Sequence, residues 1–312
     1  MTRIGWIVAA AAALALPLLV PKPFYLQIVA TGYITAIAVY GLNILLGYTG
    51  LLNLGHAAFF AIGAYTVALL ETRAGVPFLA AIAAAVFLSV AAGLLVGVIS
   101  LRTRGHYFAI FTAAVGVIIS TIILNAKDLT GGNVGIVAIP GPAPIAGISF
   151  EGPAAKYYLI LAFLSVTIVL CSLVRRSLFG RTLVAIAMNE DLARATGVDV
   201  FRTKLVAFLL SVAFAGLAGG LFAPYIGFLD ASVGGLDVTF DQLLYLVVGG
   251  LATTAGPLAG TLILVILSQL LQSFEQYRFL IYGPMLVLLI IFFPRGLAGA
   301  VTALRARLAA AA

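Results

Sequence analysis

Long apolar stretches without charge dominate the chain, and short polar segments separate them. A membrane-spanning helix needs about 20 mainly apolar residues. The pattern predicts spans at about 4–20, 24–46, 54–70, 78–101, 107–125, 157–174, 205–229 and 279–293. A further stretch at 241–272 is interrupted by polar and helix-breaking residues, and we interpret it as two shorter segments at about 241–252 and 258–272.

The sequence therefore predicts an all-α polytopic membrane protein with about 8–10 transmembrane helices, some of them broken or re-entrant. Residues 1–312 are expected to form a single transmembrane domain. Only 9% of the residues are charged and the mean hydropathy is +1.21, whereas soluble domains carry about 25% charged residues. The net charge of +7 is therefore assigned to basic residues beside the cytoplasmic membrane face and not to nucleic-acid binding.

The distribution of basic residues predicts the orientation of the chain, because Lys and Arg collect in cytoplasmic loops. The basic positions lie before the first span, after the fourth, in the central loop 175–204 and after the last span: Arg3, Arg102, Arg104, Arg175, Arg176, Arg181, Arg194, Arg202, Lys204, Arg295, Arg305 and Arg307. All of these basic positions lie on the cytoplasmic side of the membrane if the chain crosses it ten times with both termini inside. Eight spans with re-entrant segments are the main alternative. The Gly/Pro-rich loop 126–155 is then external, with a short apolar element near 134–139.

Two segments, 47–56 and 249–257, interrupt apolar runs with glycines and polar side chains. Irregular backbone at membrane depth is tolerated only where protein or a water-filled cavity satisfies it, and paired interruptions often mark a transport pathway. Ordinary loops at the membrane face are the alternative. The uncharged polar groups near these breaks are the candidate pathway residues: Asn43, Asn53, His56, Gln242 and Tyr245. For His56, hydrogen bonding inside the helix bundle is the other interpretation.

The predicted span cores contain no Asp, Glu, Lys or Arg, which weakens a proton-coupled mechanism. Sodium coupling through backbone carbonyls stays open. The sequence has no P-loop, no serine-hydrolase motif and no metal-ligand motif, and Cys171 is its single cysteine. We therefore predict no catalytic, cofactor-binding or metal-binding residues.

The central loop carries a short predicted helix at about 190–196. Asn189 is a preferred N-cap residue, Glu190 and Asp191 favour the first turn, and Arg194 follows Glu190 at the i,i+4 spacing. Gly197 is suited to end the helix. Since so short a helix is marginal in water, it must pack either on the membrane body, as a connector, or in a groove of a partner protein.

Three stretches resemble LivM-type permeases, the membrane subunits of branched-chain amino acid ABC importers. They are GLNILLGYTGLLNLGHAAFFAIGAYTVALL at 41–70, the segment 179–223 and FFPRGLAG at 292–299. The resemblance extends over about 30–300. It implies a bacterial inner-membrane permease that forms half of a pathway for branched-chain amino acids or a related small solute, such as urea, a short amide or an aromatic acid.

The resemblance also implies partners: a second, LivH-like permease, two cytoplasmic ATPases that hold ATP and Mg²⁺, and a periplasmic solute-binding protein. Glu190, Asp191, Ala193 and Gly197 match the family's ATPase-docking loop, which Asn189 and Arg194 support through the caps and charges of the helix. An ion-coupled secondary transporter or channel is the alternative from another functional class.

Overall fold

The computed structural model describes residues 3–20, 22–103, 105–142, 144, 150, 152–270, 296 and 299. The predicted span at 279–293, most of the tail 292–299, and Arg104, Arg295, Arg305 and Arg307 lie outside the described residues.

The described part of the chain is almost entirely helical, as the hydropathy pattern predicts. Its helices are α1 (Arg3–Leu19), α2 (Pro23–Leu42, continued by a π-helical turn at Asn43–Gly47), α3 (His56–Ala74), α4 (Phe78–Ser100), α5 (His106–Asn125), α6 (Lys127–Thr130), α7 (Pro153–Arg176), α8 (Leu178–Met188), α9 (Glu190–Ala195), α10 (Val200–Ile226), α11 (Leu236–Gly249) and α12 (Gly256–Leu270). Among them α2 with its π turn, α3, α4, α5, α7 and α10 are long and apolar enough to cross a membrane. The polytopic all-α prediction is confirmed.

Helices α2, α3, α4 and α10 pack around the main apolar core. Phe208 of α10 lies at its centre and makes edge-to-face contacts with Phe59 and Phe108, at ring-centroid distances of 5.8 and 6.1 Å. Glycines bring α3 and α10 together: a β-carbon at Gly63 would collide with the carbonyl of Gly216, and one at Gly219 with the carbonyl of Phe60. Small residues allow such close approach in membrane helices.

The outer faces of α4, α5 and α7 expose large apolar side chains, which is typical of surfaces that meet lipid. Leu95 of α4 and Leu173 of α7 are 72% and 58% exposed. Thr121 and Asn125 of α5 are exposed polar exceptions, and each bonds to a carbonyl of its own helix.

The predicted external loop contains a short antiparallel pairing. Strand β1 (Ile136–Val137) pairs with β2 (Phe228–Leu229), which follows α10. The apolar element expected near 134–139 is thus a strand, whereas its partner strand was not predicted. Because α7 and α10 run in opposite directions between the two ends of the bundle, the β1–β2 strand pair lies at the end opposite α8 and α9.

Two boundaries differ from the sequence prediction within the central loop. A separate helix, α8, occupies residues that were expected to be loop, and α10 begins at Val200 instead of about 205. Ser177 caps α8 by accepting from Gly180 N at 3.1 Å, and Asp199 caps α10 by accepting from Arg202 N at 3.0 Å. The segment 175–204 is therefore mostly helical.

The close α3–α10 contact predicts different effects at two adjacent glycines. Gly219→Ala is expected to lower the free energy of unfolding by about 1–3 kcal/mol, because its β-carbon meets backbone. At Gly220 the nearest atoms are side-chain ends of Ile82 and Val67 at 3.1 Å, which can shift. Thermal unfolding in detergent of Gly219→Ala and the control Gly220→Ala tests this. Equal midpoints for the two variants would contradict the packing argument.

Candidate coupling helix and translocation pathway

Helix α9 has the caps that the sequence predicts. Asn189 Oδ1 accepts from Leu192 N at 2.9 Å. At the other end, Gly197 has a φ of +89°, its N–H donates to the Arg194 carbonyl at 3.0 Å, and Val198 N donates to the Ala193 carbonyl at 3.2 Å. This pair of bonds is a Schellman motif, in which glycine tolerates the left-handed conformation. The helix is therefore defined locally at both ends.

Glu190 makes two ion pairs, one within α9 and one that fixes α9 against α10. Its Oε1 lies 3.1 Å from Arg194 Nη2, which is the predicted i,i+4 pair, and its Oε2 lies 2.5 Å from Lys204 Nζ. The Lys204 side chain is only 10% exposed, so this second pair is partly desolvated. Lys204 was assigned to a loop, and the sequence carries no local signal for a pair between residues 14 positions apart.

The two faces of the α8–α9 hairpin differ. Ala193 packs inward against Ile186 and Val200, so it positions the helix and is not part of its outer surface. Met188 and Leu192 point outward and are 83% and 62% exposed. These two apolar side chains were not among the predicted site residues. The sequence pattern that could have identified them is the apolar periodicity of residues 178–192, but the charged residues of the same loop make it hard to recognise.

The hairpin also reaches the first broken segment. A β-carbon built at Gly50 lies 3.9 Å from Cβ of Ala187 near the end of α8. The irregular backbone after α2 therefore contacts the helix that leads into α9.

A buried amide four residues before the first broken segment binds the backbone of the second. Asn43 Nδ2 donates to the Thr253 carbonyl at 3.0 Å, and Asn43 Oδ1 accepts from Ala252 N at 2.9 Å. Tyr40 adds a bond from its hydroxyl to the Thr254 carbonyl at 2.6 Å. Asn43 was predicted as a pathway residue. In this structure it is 2% exposed and satisfies the backbone of the second break.

Hydroxyl groups of neighbouring helices satisfy the backbone at the start of α3. Thr112 of α5 accepts from Leu54 N at 3.1 Å, and Thr239 of α11 accepts from Ala57 N at 3.1 Å. Within the loop, Asn53 Oδ1 accepts from Gly55 N at 3.0 Å. Irregular backbone inside the bundle is thus paired with protein groups, as membrane depth requires.

The predicted pathway residues are all buried. Asn53 and His56 are 0% exposed and lie at the start of α3, and Gln242 of α11 is 1% exposed and lies three residues after Thr239. Tyr245, 6% exposed, packs in a separate apolar cluster with Leu246. His56 Nε2 lies 3.1 Å from the Ala38 carbonyl, so the hydrogen bond inside the bundle exists. A pathway role for these side chains stays a prediction.

An open cleft of about 560 Å³ lies between α5 and the segment that joins β2 to α11. Its polar lining residues are Ser120, Thr121, Asn133, Asp230 and Ser232. The sequence prediction did not include them. They come from three distant segments, and only the fold brings them to one place.

A family model described as the permease component of branched-chain amino acid transport systems matches residues 24–293. The chain belongs to this permease family. It is accordingly a multi-pass membrane protein, and the resemblance noted in the sequence is confirmed.

Curated members of the family include two LivM proteins, each named a high-affinity branched-chain amino acid transport system permease protein. The Salmonella typhimurium protein is 34% identical over 279 residues, and the Escherichia coli K12 protein is 35% identical over 280 residues. Both alignments cover 82% of this chain but 66% of the relative, so the chain spans just under two thirds of their length. A LivH permease of Salmonella typhimurium is 23% identical over 292 residues, covering 87% of this chain and 93% of the relative. No solved structure matches.

The Asn43 bonds predict a large effect of removing this amide. Asn43→Leu leaves Ala252 N–H and the Thr253 carbonyl unpaired, and each buried unpaired group costs about 1–3 kcal/mol. The thermal unfolding midpoint in detergent is expected to fall clearly below that of Asn125→Leu. Asn125 is the matched control because it is an exposed amide that bonds only within α5. Equal midpoints would show that Asn43 does not hold the second break.

Proposed function

We propose that the chain is the transmembrane permease subunit of an ATP-driven ABC importer. It forms half of a translocation pathway for branched-chain amino acids or a related small polar solute. The observation that carries the proposal is the α8–α9 hairpin: a capped, ion-paired short helix that exposes Met188 and Leu192 outside the spans, in a chain of this permease family.

The proposed docking surface consists of Met188 and Leu192 together with the charged residues Asp191 and Arg194 beside them. Exposed apolar side chains rimmed by charges are typical of protein interfaces. The first turn of α9 carries Glu190 and Asp191, so the helix presents a mixed charge pattern to a partner. The surface therefore fits a groove that has an apolar floor and a polar rim.

The need for an energy source supports an ATPase as this partner. In the described spans, the ionisable residues Asp, Glu, Lys and Arg lie near the helix ends, so no internal relay for protons is visible there. The sequence has no nucleotide-binding loop of its own. ATP and Mg²⁺ would accordingly be held by two partner ATPases.

The remaining assembly follows from the same proposal. A LivH-like permease completes the pathway, and a periplasmic solute-binding protein delivers the solute at the end that carries the β1–β2 strand pair. The α8–α9 hairpin and both termini face the cytoplasm of a bacterial cell, with the body in its inner membrane. The basic residues Arg175, Arg176 and Arg181 around α8 agree with this orientation.

The contacts of the hairpin provide a route for motion. Because α9 is joined to α10 by the Glu190–Lys204 pair and by the packing of Ala193, the hairpin should move as a unit with the start of α10. Ala187 lies beside Gly50, so a displacement also reaches the loop that leads into α3. ATPase closure would thus act on both α10 and the first break.

Leu192→Asp is expected to reduce ATPase co-purification and ATP-dependent uptake by about tenfold or more, because it places a charge in the apolar centre of the interface. Val137→Asp is the matched control: Val137 is likewise 62% exposed but lies on the opposite end of the bundle. Both variants should insert in the membrane in normal amounts.

Unchanged ATPase binding and uptake in Leu192→Asp would overturn the docking proposal. Solute uptake by this chain alone in liposomes, driven by an ion gradient, would favour a secondary transporter.

A further inference from the structure

Eight buried side-chain polar atoms in the described part of the chain lack a hydrogen-bond partner. Five of them are single oxygens on Tyr65, Glu71, Ser100, Ser211 and Thr261, and the other three are Asn53 Nδ2, His56 Nδ1 and Gln242 Oε1. Buried polar atoms are nearly always paired, with protein or with something else. Three unpaired atoms in one region therefore require an explanation.

Sequence position and one hydrogen bond place the three side chains around the start of α3. Asn53 lies in the loop before this helix and His56 is its first residue. Ala57 N donates to Thr239 of α11, and Gln242 follows Thr239 at the i+3 spacing, which puts both on one face of α11. We call Asn53, His56 and Gln242 the α3-start cluster.

The donors and acceptors of the cluster specify a ligand class. His56 Nε2 faces the Ala38 carbonyl, which only accepts, so Nε2 carries the proton and Nδ1 is an acceptor. The Gln242 amide can turn its Oε1 to the same region as a second acceptor, and Asn53 Nδ2 is a donor near the positive end of the α3 dipole. None of the three side chains carries a fixed charge.

We propose that the α3-start cluster is an occluded solute site for a net-neutral molecule that presents N–H donors and a carboxylate or carbonyl acceptor. The N–H groups would bind His56 Nδ1 and Gln242 Oε1, and the acceptor would bind Asn53 Nδ2. A zwitterionic amino acid and a small amide share this chemistry. The assignment of the solute rests on the proposed transport function.

The open cleft described above leads toward this cluster. Leu236 lines the cleft and lies three residues before Thr239 on α11, which is about one helical turn or 5 Å. On α5, Ser120 lines the cleft and Thr112 bonds to the loop before α3. Gln242 lies one further turn along α11, about 9 Å from Leu236.

Two glycines hold α5 against the loop that precedes α3. A β-carbon at Gly116 of α5 would lie 3.0 Å from Cα of Gly55, so the two backbones are in direct contact. Separation of α5 from the start of α3 would open the cluster to the cleft. The structure thus corresponds to an occluded arrangement of the site.

The test uses the complete transporter in proteoliposomes, with the partner permease, ATPases and binding protein. Asn53→Asp keeps the Oδ1 acceptor for Gly55 N and loses the Nδ2 donor, and Gln242→Met removes the second acceptor. Uptake of leucine, a zwitterion, and of butyramide, an amide, is measured in separate experiments, each together with ATP hydrolysis. Comparison of the two solutes shows which of them the site binds. Thr261→Val is the control, because Thr261 is a buried, unpaired hydroxyl on α12.

Each cluster variant is expected to lower the amount of solute transported per ATP by about tenfold, the effect of losing roughly one good hydrogen bond to the solute. ATPase association and binding-protein-stimulated ATP hydrolysis should stay at the wild-type level, and Thr261→Val should behave as wild type. Asn53→Asp serves as the decisive variant if Gln242→Met does not assemble.

Unchanged transport in both cluster variants would overturn the proposal and would mean that the three atoms bind water only. A parallel fall in ATP hydrolysis and transport would also overturn it, since it would indicate a structural role. If the wild-type complex takes up solute without ATP, the ATP-driven importer mechanism is refuted and the site proposal is not. In that case, the effect of the cluster variants on the ATP-independent uptake decides whether the cluster binds solute.

Discussion

The fold depends on pairing the backbone where helices break inside the bundle. At membrane depth no water is available to bond to free N–H and carbonyl groups, so neighbouring helices must supply the partners. Asn43 does this for the second break, while Thr112 and Thr239 do it at the start of α3. These bonds determine which helices become neighbours: α2 is joined to the α11–α12 turn, and α3 to both α5 and α11.

The first broken segment also connects the α8–α9 hairpin with the start of α3. The α8–α9 hairpin is rigid because its caps are local and because Glu190 pairs with Lys204 of α10. It touches the loop after α2 at Gly50, and that loop leads directly into the start of α3. The proposed coupling surface and the proposed solute site thus lie at the two ends of one short stretch of irregular backbone. A movement of the hairpin could therefore reach the proposed solute site without being transmitted through the whole apolar core.

Local features of the fold could be predicted because their causes are local. The caps of α9 at Asn189 and Gly197 depend on residues within one turn, and most described spans begin and end within about five residues of the predicted bounds. Features that depend on contacts between residues far apart in the chain could not be predicted from the sequence. Lys204 pairs 14 positions away from Glu190, β1 pairs with a strand beyond α10, and the cleft combines α5 with the segment before α11. Helix α8 was missed because its amphipathic pattern lies within a charged loop.

By itself, the sequence determined the membrane class, the approximate spans, the two breaks and the short capped helix. Apolar length, charge position and capping residues act over one to a few turns, so they can be read along the chain. The tertiary structure decided what the few polar side chains do. Asn43 and Asn53 are both amides beside the same break, yet Asn43 is fully paired with the second break, while Asn53 keeps an unpaired donor at the start of α3. Only packing separates these two roles, because the partners come from helices far apart in the chain.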